Sequence, residues 1–490
     1  MVARLLGLSP PPLPRCRVLE LGSGTGPNLL PIAESLPEAE LLGIDLSGRQ
    51  VQICQEMVTA LGLTNIEFRQ MDLTDVTAQL GKFDYIIAHG MYSWTPPPVR
   101  DKLLAICNEN LSEEGLVFMS YNVLPGWHMV QMLRDFTLYH VRECPDEAER
   151  ASGAMAALSF LCAGAAKEDS YLRTMMKDFA ELYRKRLSAL GAAAESALHH
   201  DLLAPVNQPV QFHEFAQHIE SHGLEYVAEA AFETSGLSTL PEPAQDFLSQ
   251  HVGSLVELEQ YLDFLHMRMY RQSLLCHKGR TQGLDRSPGA SRLLSLFVCA
   301  AVRPAAPAPD VKSNAVVRFL GPGDASIAIN HPLSKAALCH LSEIYPRSIS
   351  FRELLRIARQ RLGQASGPDV QAQDDAGASQ DAQELGRLLL QLFCKRRDLV
   401  TLLAHPPDVT ERVSERPLGR KLCRLQALHG PLVTNGYSVA VELSPLERDV
   451  LPFLDGTRDE KALLAALKKN HARSTPKRDL ERALAALAQY

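Results

Sequence analysis

Over its first 122 residues the chain alternates between two hydrophobic periods, short apolar runs that fit strands and 3.6-residue recurrences that fit helices, as a doubly wound α/β sheet demands. Strands are predicted at Cys16–Gly22, Glu40–Leu46, Ile66–Asp72, Phe83–Gly90 and Gly115–Asn122, with helices at Asn28–Leu36, Arg49–Leu61 and Val99–Leu111 between them. Pro31 fits the first helix only if that helix begins near Asn28, where first-turn amides have no intrahelical acceptor to lose. From Pro125 to about His200 the pattern is helical throughout. Phe212–Phe232 predicts a helix stopped at Gly223 and then a strand that can rejoin the first sheet as its sixth member. Leu258–Leu275 predicts another helix, with Leu258, Leu262, Leu265 and Met269 close to one face.

The stretch VRPAAPAPD, Val302–Asp310, has the composition of an interdomain linker. Beyond it, HPLSKAALCHLSEIY, SFRELLRIARQRLG and AQELGRLLLQLFCKR predict three amphipathic helices, and apolar runs around Leu399 and Val433 predict wing strands. A mobile loop is expected at 364–383. The resulting division is a doubly wound α/β core at 1–122, a mostly helical middle domain at 123–301, a linker at 302–312 and a winged-helix-like domain at 313–490.

A length of 490 residues is too much for one core, and about 150 residues per domain points to three. The net charge of -7 speaks against a general electrostatic grip on nucleic acid, and the basic runs at Lys395–Arg397 and Arg412–Arg424 read as solvated surface. Ten cysteines without a Cys-x-x-Cys pair indicate neither a disulfide framework nor a structural zinc, so a reducing cytoplasm is expected. Adjacent His199, His200 and Asp201 point to different faces and are not read as metal ligands. The longest apolar stretch, Ala154–Ala166, falls short of the ~20 residues of a membrane span, and the N-terminus has no long apolar region of a secretory signal.

Chemistry concentrates in CRVLELGSGTGPN, Cys16–Asn28: a strand, the acid Glu20, then Gly22, Gly24 and Gly26 opening a helix. Glycines let the backbone turn sharply and approach a ligand, and the helix N-terminus offers free N–H groups. A dinucleotide fingerprint needs its third glycine at position 27, where Pro27 stands. The alternative, an acid two residues before Gly-x-Gly-x-Gly, is the pattern of S-adenosylmethionine-dependent methyltransferases, which this stretch resembles; a ligand-free turn is the plain structural alternative. In an open parallel sheet, ligands bind beyond the carboxyl ends of the strands. Asp45, followed by Leu46, stands where a carboxylate accepts both ribose hydroxyls, or else caps the helix opening at Ser47. Asp72 and Leu73 stand where the methyltransferases that this stretch resembles place an acid to accept from the adenine amino group and an apolar side chain to cover the ring, or else Asp72 caps the next turn.

The fourth and fifth strands end in HGMYSWTPPP and SYNVLPGW. In-line displacement at a sulfonium methyl gains from alignment and from exclusion of water. Tyr92, Trp94, Tyr121 and Trp127 are therefore candidates for an aromatic channel that desolvates an amine, or for residues that pack the core against the helical segment. Asn122 and His89 either orient the reacting groups, His89 on the cofactor side, or satisfy backbone groups.

The segments ELGSGTGPNLLPIA, FDYIIAHGMYSW, SYNVLPGW, FHEFAQHIESHGLEYVAEA and LEQYLDFLHMRMYRQSLLCH resemble the bacterial methyltransferases that carry a methyltransferase regulatory domain, among them the rickettsial-type protein lysine methyltransferases. The similarity runs from about Leu5 to Lys278 and continues weakly to RPLGRKLCRLQA and FLDGTRDEKAL. It implies S-adenosylmethionine as cofactor, held by Glu20, Gly22, Gly24, Gly26, Asn28, Asp45 and Asp72, with acceptor-lining segments at Tyr92–Trp94 and Tyr121–Trp127. It also implies a protein lysine as acceptor and a homodimer. Members of that family usually carry a segment rich in aromatic residues, proline and histidine before the first strand, where this chain reaches Cys16 almost at once; if such a segment closes over the cofactor, weaker binding or slower turnover is expected. A small-molecule methyltransferase and a non-catalytic scaffold on the same fold are the competing readings.

Overall fold

The computed structural model describes residues 1–163, 170–191, 194–232, 240–364, 380–396, 398–410, 412–471 and 476–488. Its centre is a seven-stranded sheet made of β1 (Arg17–Leu21), β2 (Glu40–Asp45), β3 (Ile66–Gln70), β4 (Phe83–Ala88), β5 (Leu111–Asn122), β6 (Leu224–Glu229) and β7 (Tyr270–His277). The order is β3-β2-β1-β4-β5-β7-β6; β1 to β5 pair in parallel, and β7 runs antiparallel to both β5 and β6. Side chains alternate across the sheet: Leu19 and Leu21 of β1 pack with Ile44, Ile86, Leu103 and Ile106, whereas Val18 packs with Leu29, Leu30, Leu41 and Val51 on the other face. The strand order reverses between β1 and β4, which opens a crevice at their carboxyl ends.

The predicted helix at Leu258–Leu275 is two elements. A helix runs only over Leu255–His266, Met267 adopts a left-handed φ of 48°, and the rest is β7. The buried face of that helix is Glu259, Gln260, Leu262 and Asp263, while Leu265 is exposed. Polar burial there has a partner. Arg271 of β7, fully buried, donates to Asp263 at 2.9 and 2.8 Å, to Glu259 at 2.9 Å and to Glu229 at 2.8 Å, and lies 3.9 Å over the ring of Phe212. A lone buried charge is expensive, so this set holds β6, β7 and the helix together as a unit.

The middle region is helical at Trp127–His140, Glu147–Ala163 and Tyr171–Ala189, followed by a π-helical turn at His199–Leu203. Among the described residues no helix is long and apolar enough to cross a membrane.

The linker and the winged-helix boundary require correction. Val302 is buried, Arg303–Pro304 pairs with Val317–Leu320, and one core joins Leu293, Val298, Phe319, Leu338, Leu354, Leu389 and Leu402. The three helices placed beyond the linker (Pro332–Ile344, Phe351–Arg361 and Gln380–Lys395) therefore belong with strand Phe297–Ala300 upstream of it, and so does Val400–Leu403. Most of the loop expected at 364–383 lies outside the described residues. A separate unit is built from Lys421–His429, the hairpin Leu432–Thr434/Ala440–Glu442, Pro445–Val450, Glu460–His471 and Lys477–Leu487 around Cys423, Leu451, Leu463 and Leu480. Its Arg420 reaches the sheet unit through Glu34 at 2.9 Å and Ser35 Oγ at 2.8 Å, on the helix Leu29–Ser35.

Candidate active site

The turn after β1 carries three left-handed glycines, Gly22 (φ 74°), Gly24 (φ 53°) and Gly26 (φ 79°). At Gly22 the requirement is doubled, because a Cβ there would collide with Met91 Sδ. Asp45 at the end of β2 braces the turn: its Oδ2 accepts the Gly24 N–H at 2.9 Å and its Oδ1 the Ser47 N–H at 2.8 Å. Helix capping at Ser47 falls to the Ser47 side chain, which accepts from Gln50 N–H. Each carboxylate oxygen retains a second lone pair for a ligand hydroxyl.

Glu20 is the least ordinary residue of the turn. It is 1% exposed, Oε1 accepts from Asn28 Nδ2 at 2.6 Å, and Oε2 is buried without a hydrogen-bond partner. Burial pushes its carboxyl up to about 7, against the Asn28 hydrogen bond, and the nearby Asp45 charge adds to the rise. An orphaned carboxylate oxygen above a glycine cradle fits a nucleoside cofactor that carries an ammonium group.

Asp72 follows β3 as the cap of a short 3-10 turn, with Oδ1 accepting both Thr74 N–H and Thr74 Oγ–H at 2.8 Å; Oδ2 makes no such bond. Leu73 is buried, whereas Leu46 stands 68% exposed. His89, beyond β4, bonds Ser120 Oγ at 3.0 Å through Nδ1, and burial, reinforced by His200, holds its imidazole below the usual value.

The four aromatic residues do not assemble into one open channel. Tyr121 is fully buried, stacked on Phe215 at 3.9 Å with its hydroxyl on Ser273 Oγ at 2.9 Å. Tyr92 packs edge-on against both rings, under the guanidinium of Arg100. Trp127 lies in the helical core with Val130, Leu133, Leu158 and Leu202, its Nε1 buried without a partner. Trp94 alone is half-buried, and its indole N–H donates to the His200 carbonyl at 2.9 Å. Asn122 at the end of β5 gives Nδ2 to Asn207 Oδ1 at 2.9 Å, its N–H to Ser93 Oγ at 2.8 Å, and leaves Oδ1 buried and unpartnered.

Residues outside the sequence-based set also enter this edge. His200 meets Trp94 edge-on at 6.1 Å from a π-helical turn, a feature frequent at functional sites. Asn207 bridges Asn122 to the carbonyls of His200 and Asp201. The His-His-Asp run thus bears on the site through the His200 ring and through the His200 and Asp201 carbonyls.

Comparison with known proteins places three family matches along the chain: "Methyltransferase domain" at residues 18–115, "Predicted methyltransferase regulatory domain" at 194–277 and "PKMT, C-terminal winged helix domain" at 415–483. An uncharacterized Rickettsia prowazekii protein, RP789, is 31% identical over 473 residues, covering 95% of this chain and 81% of its own length. A second from the same organism, RP028, is 32% identical over 216 residues, which is 44% of this chain and 84% of that protein. The structure of PKMT2 from Rickettsia typhi superposes with a TM-score of 0.83 at 24% identity, covering all of this chain and 95% of that one, a likeness in fold; it has also been solved in complex with AdoHcy.

Proposed function

The chain belongs to the bacterial S-adenosylmethionine-dependent methyltransferases that carry a regulatory domain and a PKMT-type winged helix, and from that premise we propose that its methyl acceptor is a protein lysine. The observation that carries the proposal is the match of residues 415–483 to the PKMT C-terminal domain, a unit that a small-molecule methyltransferase does not need. The whole-chain likeness in fold to PKMT2 supports it.

We assign cofactor binding to Glu20, Gly22, Gly24, Gly26, Asn28, Asp45 and Asp72, with Leu73 against the base and His89 behind the turn. Bound, S-adenosylmethionine supplies an electrophilic methyl group on a sulfonium. Glu20 Oε2 is matched to the cofactor's ammonium and Asp45 to its ribose hydroxyls, each a charge-assisted hydrogen bond. On the acceptor side, Asn122 Oδ1 takes an N–H of the lysine amine, which turns the nitrogen lone pair toward the methyl carbon. Trp94 and Met91 exclude water around that nitrogen, and buried Tyr92, Tyr121 and Trp127 hold the two strand ends that present them.

Incubation of the full chain with methyl-deuterated S-adenosylmethionine and bacterial envelope and soluble extracts, followed by peptide mass spectrometry, tests this. Label on lysine Nε is expected; label confined to small molecules, or to other side chains, overturns the lysine assignment.

A further inference from the structure

Tyr92 leads to a group of side chains that methyl transfer does not use. Its hydroxyl lies 2.8 Å from His218 Nδ1, and His218 Nε2 lies 2.8 Å from Asp101 Oδ1. His222, the residue that follows the helix Phe212–Ser221 carrying His218, adds a third donor: one ligating atom from each of Asp101, His218 and His222 lies within 4.8 Å of the others. The second contact of the His222 ring fixes which of its lone pairs is free. His222 Nδ1 lies 3.1 Å from the His218 carbonyl oxygen, which can only accept, so Nδ1 carries the proton and Nε2 the lone pair. The Tyr92 hydroxyl can either accept from or donate to His218 Nδ1, so His218 Nε2 presents either a lone pair or a proton to the Asp101 carboxylate. Such a contact requires a cation between the two groups, either a proton or a metal ion.

We propose that Asp101, His218 and His222 form a binding site for a divalent ion of the zinc class. Two imidazoles and one carboxylate suit Zn²⁺, Ni²⁺ or Cu²⁺ better than Mg²⁺ or Ca²⁺, which favour all-oxygen sets. Bonds of about 2.0–2.1 Å place tetrahedral ligands roughly 3.4 Å apart, so the His218 Nε2–Asp101 Oδ1 pair at 2.8 Å opens by about 0.6 Å, while donors as far as 4.8 Å apart close by about 1.4 Å. Asp101, 61% exposed at its side chain, is free to make that movement, and the same exposure admits the ion and the water that completes its coordination. The hydrogen bonds from Tyr92 and the His218 carbonyl are the outer contacts that orient metal-bound imidazoles.

The placement gives the site a consequence. Asp101 lies in the segment matched as methyltransferase domain and both histidines in the segment matched as regulatory domain, so the ion pins one to the other. It also fixes the Tyr92 hydroxyl as acceptor from His218, next to Ser93, whose Oγ accepts the Asn122 N–H. Metal occupancy therefore sets the rigidity of the turn after β4, whatever the acceptor proves to be.

Metal-stripped full-length protein titrated with Co²⁺ tests the site. One equivalent is expected to bind with visible ligand-field bands and no near-ultraviolet thiolate band, to be displaced by Zn²⁺, and to raise the melting temperature. His222→Ala and the milder Asp101→Asn are each expected to weaken binding at least about tenfold while circular dichroism stays unchanged. No saturable binding, a thiolate band from the cysteines, or equal affinity in folded forms of both variants overturns the proposal and leaves a proton between His218 and Asp101.

Discussion

Replacing Glu20 with glutamine separates stability from cofactor binding, because the two respond in opposite directions. In the ligand-free protein the Glu20 carboxyl is pushed up to about 7 by burial, from an ordinary 4.5. Below pH 4.5 it is protonated both folded and unfolded and costs nothing. Between 4.5 and 7 the unfolded chain ionises while the folded one does not, so stability falls as pH rises and levels off above 7. The full loss is about 3 kcal/mol, at about 1.4 kcal/mol for each pH unit between the two values. Glu20→Gln removes the titration, and the ligand-free variant is expected to be more stable than the parent at pH 8 and nearly equal to it at pH 4.5. The orphaned Oε2 is matched to a cationic ligand group, so the same variant is expected to bind S-adenosylhomocysteine with a loss of about 1.5–3 kcal/mol. Urea midpoints from pH 4.5 to 8 read the first effect. Titration calorimetry at pH 6.5 in buffers of different ionisation enthalpy reads the second: the parent, about three-quarters protonated at Glu20, is expected to release close to that fraction of a proton on binding, and the variant none. Equal proton release by both proteins, or unchanged affinity, would refute the placement of Glu20 against the cofactor.

Asp45→Ala removes the acceptor of the Gly24 and Ser47 N–H groups together with the ribose contact, and is expected to weaken S-adenosylhomocysteine binding by about 1.5–3 kcal/mol; unchanged affinity by calorimetry would make the residue a turn brace only. Gly22→Ala meets both a left-handed φ and Met91 Sδ, and is expected to abolish detectable cofactor binding while the helical middle domain keeps its circular dichroism. Arg271→Met takes from Glu229, Glu259 and Asp263 the cation that all three share, leaving Arg268 to Glu259 and Asp263 alone, with an expected loss of about 3–5 kcal/mol in urea unfolding. A loss under about 1 kcal/mol would mean that those acids take up protons at little cost.

The parts of this molecule that were legible in its sequence are those whose causes are local. Strands β1 to β4 were marked by apolar runs that end in Glu20, Asp45, Asp72 and His89, and a glycine-rich turn needs no distant partner to be recognised. β7 was hidden because its second residue is an arginine, tolerable inside only through acids 8, 12 and 42 positions away, and no periodicity reports such a partnership. The proline-rich run after Val302 reads as a linker for the same reason: Arg303–Pro304 is an edge strand, where a missing N–H is harmless, and its pairing with Phe319 and Leu320 becomes visible only in three dimensions. The aromatic channel is a different kind of error, since the signal was present. Along β5, Val117, Met119 and Tyr121 fall on one face by strict alternation, with the core residues Phe215 and Leu275, and Asn122 falls on the other with Asn207. Counting parity from Val117 assigns Tyr121 to that core and Asn122 to the opposite face; nearness to the strand end does not. The same parity places the orphaned Asn122 oxygen on the face away from that core, and if it meets the acceptor amine as proposed, an Asn122→Asp variant, which turns that acceptor into a charge, is expected to retain cofactor binding while altering methyl transfer.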